Sequence, residues 1–289
     1  MAMAALAAAD KSFFEWVAAI LVKYWPMLLR GAGITMLIAM TGTIIGFLIG
    51  LVIGVIRTIP TKPNGSILSK VFRSIYTFLL NAYIEIFRGT PMIVQAMVIF
   101  YGIPLIVQAI VPAAQAISPT LGLMLKEFRQ LPVTEAGIFI VSINTGAYLA
   151  EIVRGGILSI DKGQFEAAHS LGMTHTQTMI NIVLPQAIRN ILPAIGNEFV
   201  INIKDTSVLN VISVSELFFA SKSVAGIAYR TFEVFFITSV IYFILTFTVT
   251  RILRFIEKKM DGPDNFMIHG SQSVPEVEIG LRMGRTLTK

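Results

Sequence analysis

The feature that most constrains this chain is a series of five apolar segments, each close to the length that crosses a membrane. A helix needs about 20 apolar residues to span the hydrocarbon core of a bilayer. The segments cover residues 31–56, 91–111, 135–153, 195–214 and 231–250, and the fourth is the least apolar. They predict an all-α, polytopic membrane protein with about five transmembrane helices.

The charge content supports this interpretation. Charged residues make up 14% of the chain, whereas soluble domains carry about 25%. The net charge is +6, and its bases are spread between the apolar segments rather than gathered in one patch. This distribution is typical of residues that flank a membrane, and it does not indicate a nucleic-acid partner.

Three regions are predicted along the chain. Residues 1–30 form an amphipathic N-terminal segment whose Trp16 and Trp25 favour the membrane interface. Residues 31–260 form the transmembrane domain, and residues 261–289 form a polar cytoplasmic tail. The stretch 71–87 is apolar but interrupted by polar residues. It is either a helix near the membrane face or the start of a long second helix, and as a separate span it would change the parity of the topology.

The basic residues orient the predicted helices. If the N-terminus is outside, the inner side receives Arg57, Lys62, Lys70, Arg73, Arg88, Arg154, Lys162, Arg189, Arg251, Arg254, Lys258 and Lys259. The outer side receives Lys11, Lys23, Arg30, Lys126, Arg129, Lys222 and Arg230. Basic residues are enriched on the cytoplasmic side of membrane proteins. Five spans with the N-terminus outside and the C-terminus in the cytoplasm are therefore expected.

Several kinds of chemistry lack the residues that they need. The chain has no cysteine, and its three histidines, His169, His175 and His269, are scattered. Neither disulfides nor a metal centre are expected. The sequence has no G-x-x-x-x-G-K-[ST] phosphate loop, no H-E-x-x-H and no G-x-S-x-G. These absences favour a protein that is not an enzyme and that binds no cofactor directly.

The most informative polar stretch is residues 166–185, EAAHSLGMTHTQTMINIVLP, between the third and fourth spans. Gly172 permits the left-handed turn that closes a short helix, and Thr174 is a suitable N-cap for a second helix through Ile182. Pro185 limits how the backbone continues. We predict a helix–turn–helix outside the membrane, where Ala167 and Ala168 allow a partner to approach closely. The alternative is an ordinary connecting loop with two surface helices.

The spacing of this stretch resembles the EAA loop of bacterial ABC importer permeases. The matching positions are Glu166, Ala167, Ala168, Gly172, Ile182, Leu184 and Pro185. Three further runs, RGTP at 88–91, AYLAEIVRGG at 147–156 and KDTS at 204–207, resemble the branch of that family that transports polar amino acids. The resemblance covers residues 25–259. The loop 112–134 is longer than usual and the tail 261–289 is extra, and the sequence does not indicate what they do.

This resemblance implies a function and a set of partners. The chain would be the permease subunit of an ATP-driven importer in the bacterial cytoplasmic membrane, moving a polar amino acid delivered by an extracytoplasmic solute-binding protein. The partners implied are an ABC ATPase dimer and a second permease, identical or related, and no nucleic acid. ATP and Mg²⁺ would bind to the ATPase, which would receive the loop 166–185 in a groove.

The first span contains glycines at every fourth position, Gly42, Gly46, Gly50 and Gly54. They share one smooth helix face, which lets another helix approach closely. We predict that this face packs against a second helix, either within the chain or in another subunit. The alternative is a helix that is merely rich in glycine.

Polar residues within the spans are candidates for the substrate path. A charge at the centre of a bilayer costs roughly 2.5–3.5 kcal/mol on insertion scales, so such residues usually face protein or water. The candidates are Gln95, Asn144, Glu151 and Thr206. Asn144 and Glu151 share one helix face. The alternative for the charged residues is structural pairing, with Lys204 bound to Asp205 and Glu151 bound to Arg154 or Arg88.

Two other classes of protein fit part of this pattern. A secondary transporter or channel would explain the buried polar residues, but five spans without an inverted repeat argue against it. A membrane anchor or receptor would move no solute at all. Stimulation of a partner ATPase by the solute distinguishes the importer from both.

Overall fold

A computed structural model describes residues 11–59, 66–127 and 132–260, and every regular element in these ranges is a helix. The helices are α1 (Phe13–Ile56), α2 (Ile67–Gly89), α3 (Met92–Ile117), α4 (Pro119–Glu127), α5 (Val133–Leu158), α6 (Lys162–Ser170), α7 (His175–Thr178), α8 (Leu184–Asp205), α9 (Leu217–Ala228) and α10 (Thr231–Met260). A π-helical turn, Met179–Val183, precedes α8, and a 3₁₀ turn, Thr206–Ile212, follows it. The predicted tail 261–289 lies outside the described residues.

Four of these helices, α1, α3, α5 and α10, are long and apolar enough to cross a membrane. A fifth crossing is formed if α8 and α9 act as one span, which bends by 57° at a short break. Glu216 lies at this break and caps α9, where its carboxylate accepts hydrogen bonds from the backbone N–H groups of Phe218 and Phe219. The predicted all-α membrane fold with about five spans is confirmed.

Helix α1 begins well before the span predicted for it. A capping box fixes its start, in which the Ser12 backbone donates to the Glu15 carboxylate at 2.7 Å. At about 1.5 Å per residue its 44 residues extend roughly 66 Å, and they continue through residue 30 without a break. Ile20 and Leu28 are buried in a cluster with residues of α9 and α10. The segment predicted to lie at the interface is therefore packed on the bundle, and its depth in the membrane stays a prediction.

The glycine face of α1 lies directly against α5. A methyl group at Gly46 would lie 2.8 Å from Thr145 Cβ, and one at Gly50 would lie 2.7 Å from Leu149 Cβ. Gly42 meets Val141 and Gly54 meets Val153 in the same manner. Both helices advance by four residues at each contact and in the same direction, so α1 and α5 run parallel.

The parallel register limits how α2 can be placed. Two parallel spans require an odd number of membrane crossings between them. Helix α4 has 9 residues, which at about 1.5 Å each is too short to cross. Helices α2 and α3 therefore contribute one crossing together, or α3 makes it alone. Only Ile84 of α2 is buried, and the Tyr83 hydroxyl fastens this helix to α5 by donating to the Ile143 carbonyl at 2.6 Å.

The remaining spans alternate in direction. Asn202 of α8 donates hydrogen bonds to Thr43 of α1 at 2.8 Å and to Thr145 of α5 at 2.9 Å. Gly196 of α8 lies against Leu253 of α10, while Ile203 packs with Val249. Helix α8 is thus antiparallel to all three neighbours, and α10 is parallel to α1. Phe13 and Met260 consequently lie at opposite ends of the bundle.

Candidate functional site: a polar cavity and a loop beyond the spans

Acidic and basic side chains gather around one cavity between α1, α2 and α5. Its volume is about 460 Å³, and its lining consists of Arg57, Asn81, Ile84, Glu85, Arg88, Gly89 and Glu151. Cavities of roughly 300–1,000 Å³ with a few polar groups are typical of small-molecule sites.

Glu151 is the one substrate-path candidate that lines this cavity. Its carboxylate forms an ion pair with Arg57 and a second, at 3.9 Å, with Arg154. Pairing of Glu151 with Arg154 was anticipated, and the pairing with Arg57 was not, because the two residues are 94 positions apart. Arg57 lies where α1 ends, so the parallel contact of α1 with α5 brings it to Glu151.

The α2 side of the cavity supplies groups without a described ion-pair partner. Among the described residues neither Glu85 nor Arg88 has an oppositely charged group within 4 Å. The Arg88 guanidinium lies 5.6 Å from the centre of the Tyr148 ring, and Arg88 also interacts electrostatically with Glu198 of α8. The Asn81 Oδ1 atom is buried and accepts no hydrogen bond. A polar solute could bind all three groups.

Gln95 and Asn144 lie next to this cavity and bind each other. The Asn144 Nδ2 atom donates to Gln95 Oε1 at 2.9 Å, and Gln95 Nε2 donates to the carbonyls of Phe87 and Thr90 at 2.8 and 2.9 Å. These carbonyls end α2 and would otherwise lack partners. The pair therefore supports the α2–α3 junction behind Arg88, and neither residue lines the cavity.

Thr206 lies apart from the other substrate-path candidates. It is fully buried, and its hydroxyl donates to the Ile203 carbonyl at 3.0 Å. The expected pairing of Lys204 with Asp205 is also absent, since no ion pair within 4 Å joins these two described residues. Their helix ends at Asp205, and the 3₁₀ turn that follows directs Thr206 inward.

The stretch 166–185 forms the predicted helix–turn–helix beyond the end of α5. Asp161 caps α6 through the Gly163 N–H at 2.6 Å, and Gly172 closes α6 with a φ of 76°. The Met173 N–H returns to the Ala168 carbonyl at 3.1 Å. Thr174 and Gln177 then form a reciprocal capping box at the start of α7.

The second half of this loop differs from the prediction. Helix α7 ends at Thr178, and the π-helical turn Met179–Val183 joins it to α8 without an interruption. Pro185 does not end the helix: it is the second residue of α8, and its missing N–H follows directly on the π-helical turn, where the regular α-helical bonding is already interrupted. The predicted fourth span, 195–214, consequently begins too late.

The loop exposes only part of the side chains assigned to partner contact. Glu166, Ala167, Gly172 and Pro185 are exposed, Leu184 is half-buried, and Ala168 is buried at 1% exposure. Met179 and Val183 pack with Val153 and Ile157 at the end of α5. Phe165 of α6 rests on the same cluster. Movement of α6 would therefore be transmitted to the ends of α5 and α8.

Comparison with known proteins identifies the family. Residues 63–262 match the family model described as "binding-protein-dependent transport system inner membrane component", which covers more than half of the chain. The chain belongs to this family of ABC importer permeases. Permeases of this kind are transport subunits and not enzymes, and they are multi-pass proteins of the inner membrane.

Three relatives show the extent of the similarity. The glutamine transport system permease protein GlnP of Escherichia coli K12 is 34% identical over 250 residues, which cover 86% of this chain and 98% of that protein. The arginine transport system permease protein ArtQ of Bacillus subtilis is 30% identical, with 83% and 94% covered. A crystal structure of an amino acid ABC transporter with histidines matches at 34% identity and a TM-score of 0.64, covering 83% and 96%. The chain thus falls in the polar amino acid branch.

Proposed function

We propose that this permease carries a polar amino acid across the inner membrane, that the solute reaches it from an extracytoplasmic binding protein, and that the helix–turn–helix 166–185 docks on an ATPase subunit. The charged cavity beside α5 is the observation that carries this proposal. The relatives described as glutamine and arginine permeases favour the same class of solute.

The cavity provides both signs of charge, as a free amino acid requires. A zwitterion carries a carboxylate and an ammonium group on neighbouring atoms. The Arg88 guanidinium can bind the carboxylate in a bidentate manner, while Glu85 and the unpartnered Asn81 Oδ1 can accept from the ammonium group. Glu151 is neutralised by Arg57 and Arg154, so it positions Arg57 at the cavity wall rather than presenting a free charge.

Coupling to ATP would proceed through α6. The residues proposed to couple the permease to the ATPase are Glu166, Ala167, Ala168, Gly172, Leu184 and Pro185. Closure of the ATPase pair on ATP and Mg²⁺ would shift α6, and Phe165 would pass the displacement to the cluster formed by Met179, Val183 and Val153. Nucleotide would thereby bias the permease between its two membrane states. Ala168, being buried, would act by packing α6 rather than by touching the partner.

The further partners and the orientation belong to the same proposal. A second permease, identical or related, would complete the path, and the binding protein would dock on the side where α1 begins. The N-terminus would be outside and the C-terminus in the cytoplasm, since this arrangement places twelve basic residues on the inner side and seven on the outer side.

Matched pairs of variants test the coupling loop. Tagged permease is extracted in detergent and the ATPase activity that copurifies is measured. Gly172→Asn keeps a residue that tolerates positive φ, whereas Gly172→Val does not. We expect ATPase recovery within about twofold of wild type for Asn and a loss of roughly tenfold or more for Val, since a strained turn costs on the order of 1–3 kcal/mol. Glu166→Lys should lose recovery, and Glu166→Gln should keep most of it.

The same preparation tests the importer itself. In proteoliposomes the wild type should move a radiolabelled amino acid only with ATP and the binding protein. Flux without ATP from permease that copurifies alone would contradict the proposal and favour a secondary transporter.

A further inference from the structure

A second groove lies on the opposite side of α8, between α8 and α10. Its volume is about 280 Å³, and it is lined by Val200, Lys204, Phe243, Thr246, Phe247, Thr250, Arg251 and Arg254. The lining therefore contains three cations and no acidic side chain. Neither the coupling loop nor the charged cavity includes any of these residues, so the proposed function leaves the groove unexplained.

The three cations have no counter-ion in the described part of the chain. Lys204, Arg251 and Arg254 are all exposed, and none forms an ion pair within 4 Å. Asp205 follows Lys204 and interacts with it electrostatically, but its carboxylate does not line the groove. Glu257 lies one turn beyond Arg254 and makes no ion pair with it. The groove therefore has an uncompensated positive charge.

The groove also extends to the depth of the hydrocarbon core. Arg254 lies near the end of α10, and Phe243 is 11 residues earlier, about 16 Å along the helix. Phe243 is 65% and Phe247 47% exposed, and they form part of an apolar outer face of α10. A cation on such a face costs free energy unless an anion or the interface compensates it. Lys204, at the deep end of the groove, has the greatest need of an anion.

The donors in the groove suit a phosphate. Arg251 lines the groove, and its guanidinium lies 4.7 Å from the centre of the Phe247 ring. The Thr246 and Thr250 hydroxyls donate to helix carbonyls four residues earlier, at 2.9 and 2.7 Å. Their protons are thus already used, and the two guanidinium groups and the Lys204 ammonium are the donors that remain for a ligand.

We propose that this groove binds the phosphate of an anionic phospholipid such as phosphatidylglycerol. The phosphate lies between Arg251, Arg254 and Lys204, while an acyl chain covers Phe243 and Phe247. Basic pockets between transmembrane helices near the inner membrane face bind acidic headgroups for the same reason. A lipid provides the anion and the apolar cover together, whereas a free phosphate provides only the anion.

Binding of phosphatidylglycerol to the full chain in detergent tests this assignment, with phosphatidylcholine as the neutral reference. Affinity is measured by native mass spectrometry and by the shift in thermal unfolding. The test variant is Lys204→Gln/Arg251→Gln/Arg254→Gln. The control is Lys258→Gln/Lys259→Gln, which removes two bases from the same helix outside the groove. At about 1 kcal/mol per base near an anionic surface, the test variant should lose on the order of 100-fold in affinity.

Each outcome bears on the assignment. Selective binding of phosphatidylglycerol supports the assignment if it is lost in the test variant and kept in the control. It should also be kept in the single variant Lys204→Arg, which preserves the positive charge. Equal binding by the test variant overturns the assignment. Equal stabilisation by inorganic phosphate identifies a free-anion site instead. Loss of permease self-association without a change in lipid binding identifies an interface between two copies. Because no transport is measured, failure here leaves the proposed importer function standing.

Discussion

At the residue scale, several polar side chains within the spans form hydrogen bonds with other groups of the protein itself. Asn202, Gln95 and Asn144 satisfy hydroxyls or helix-terminal carbonyls on neighbouring helices. Buried polar groups need such partners, because an unmade hydrogen bond costs more than a made one contributes. Glu85, Arg88 and Asn81 are different, since they face a cavity and lack partners in it.

Glu151 gives the first prediction at this scale. Glu151→Gln removes the charge that holds Arg57 at the cavity, so an Arg57 freed from its partner can rotate into the solute site. A lost charge-assisted hydrogen bond is worth about 1.5–3 kcal/mol, and we expect the Michaelis constant for uptake to rise at least tenfold. Uptake kinetics in proteoliposomes measure it.

The matched control is Glu233→Gln, which breaks a 3.6 Å ion pair with Arg230 at the far end of α10. Its uptake should stay within about twofold of wild type, because this pair lies on another helix and does not line the charged cavity. A wild-type Michaelis constant in Glu151→Gln, with normal assembly, would exclude Glu151 from the solute site.

Only some of the residues in the candidate site could be predicted from the sequence. The polarity of Glu151 and Asn144 within an apolar segment made them substrate-path candidates from sequence, and of the two only Glu151 lines the cavity. Arg57 was counted only as a membrane-flanking base, and Asn81 and Glu85 only as interruptions of an apolar stretch. Their cavity depends on the packing of α2 against α5, which no local pattern encodes.

At the element scale, the glycine face sets how closely α1 and α5 approach. The period of four residues was visible in the sequence, but the partner and the parallel direction were not. The identity of the partner helix and its direction depend on how many times the helices between α1 and α5 cross the membrane. The π-helical turn was not predicted either, because Pro185, two residues beyond it, was interpreted as a limit on the helix, whereas the helix continues through it.

A pair of substitutions on α1 tests this contact. Gly50→Val would place a side chain within 2.8 Å of the Ala150 backbone nitrogen, which cannot move away. Overpacking of this kind costs about 1–3 kcal/mol, so thermal unfolding in detergent should occur several degrees lower. Gly33→Val is the control on the same helix, because no atom lies within 4 Å of the position of its methyl group. Equal melting temperatures for the two variants would contradict the proposed role of the stripe.

At the scale of the whole molecule, the packing directions determine the number of crossings. Helices α1, α5 and α10 run one way and α8 runs the other, so α2 and α3 together make a single crossing. The sequence left open whether α2 crosses the membrane as a separate span, because this helix carries both apolar and charged residues. The proposed orientation of this arrangement rests on the distribution of the basic residues.

The natural absence of cysteine makes the orientation directly measurable. Single substitutions Ser12→Cys and Ser118→Cys should react with a membrane-impermeant maleimide added to intact spheroplasts. Ser69→Cys and Lys258→Cys should react only after the membrane is permeabilised. Labelling of positions 12 and 258 from the same side would contradict an odd number of crossings. Labelling of position 69 from outside would show that α2 is a separate span.

The π-helical turn has a consequence for how the loop and the membrane domain are joined. A π turn contains one residue more than the α-helical turn it replaces, and each residue of an α-helix turns the chain by about 100°. Deleting one residue within Met179–Val183 would let this turn close as ordinary α-helix, so Asn202 would keep facing Thr43 and Thr145. Deleting one residue from α8 between Pro185 and Asn202 would instead turn Asn202 away from both hydroxyls by about 100°. The π turn therefore takes up one residue of chain length without changing the angle between the loop 166–185 and the polar centre of the bundle.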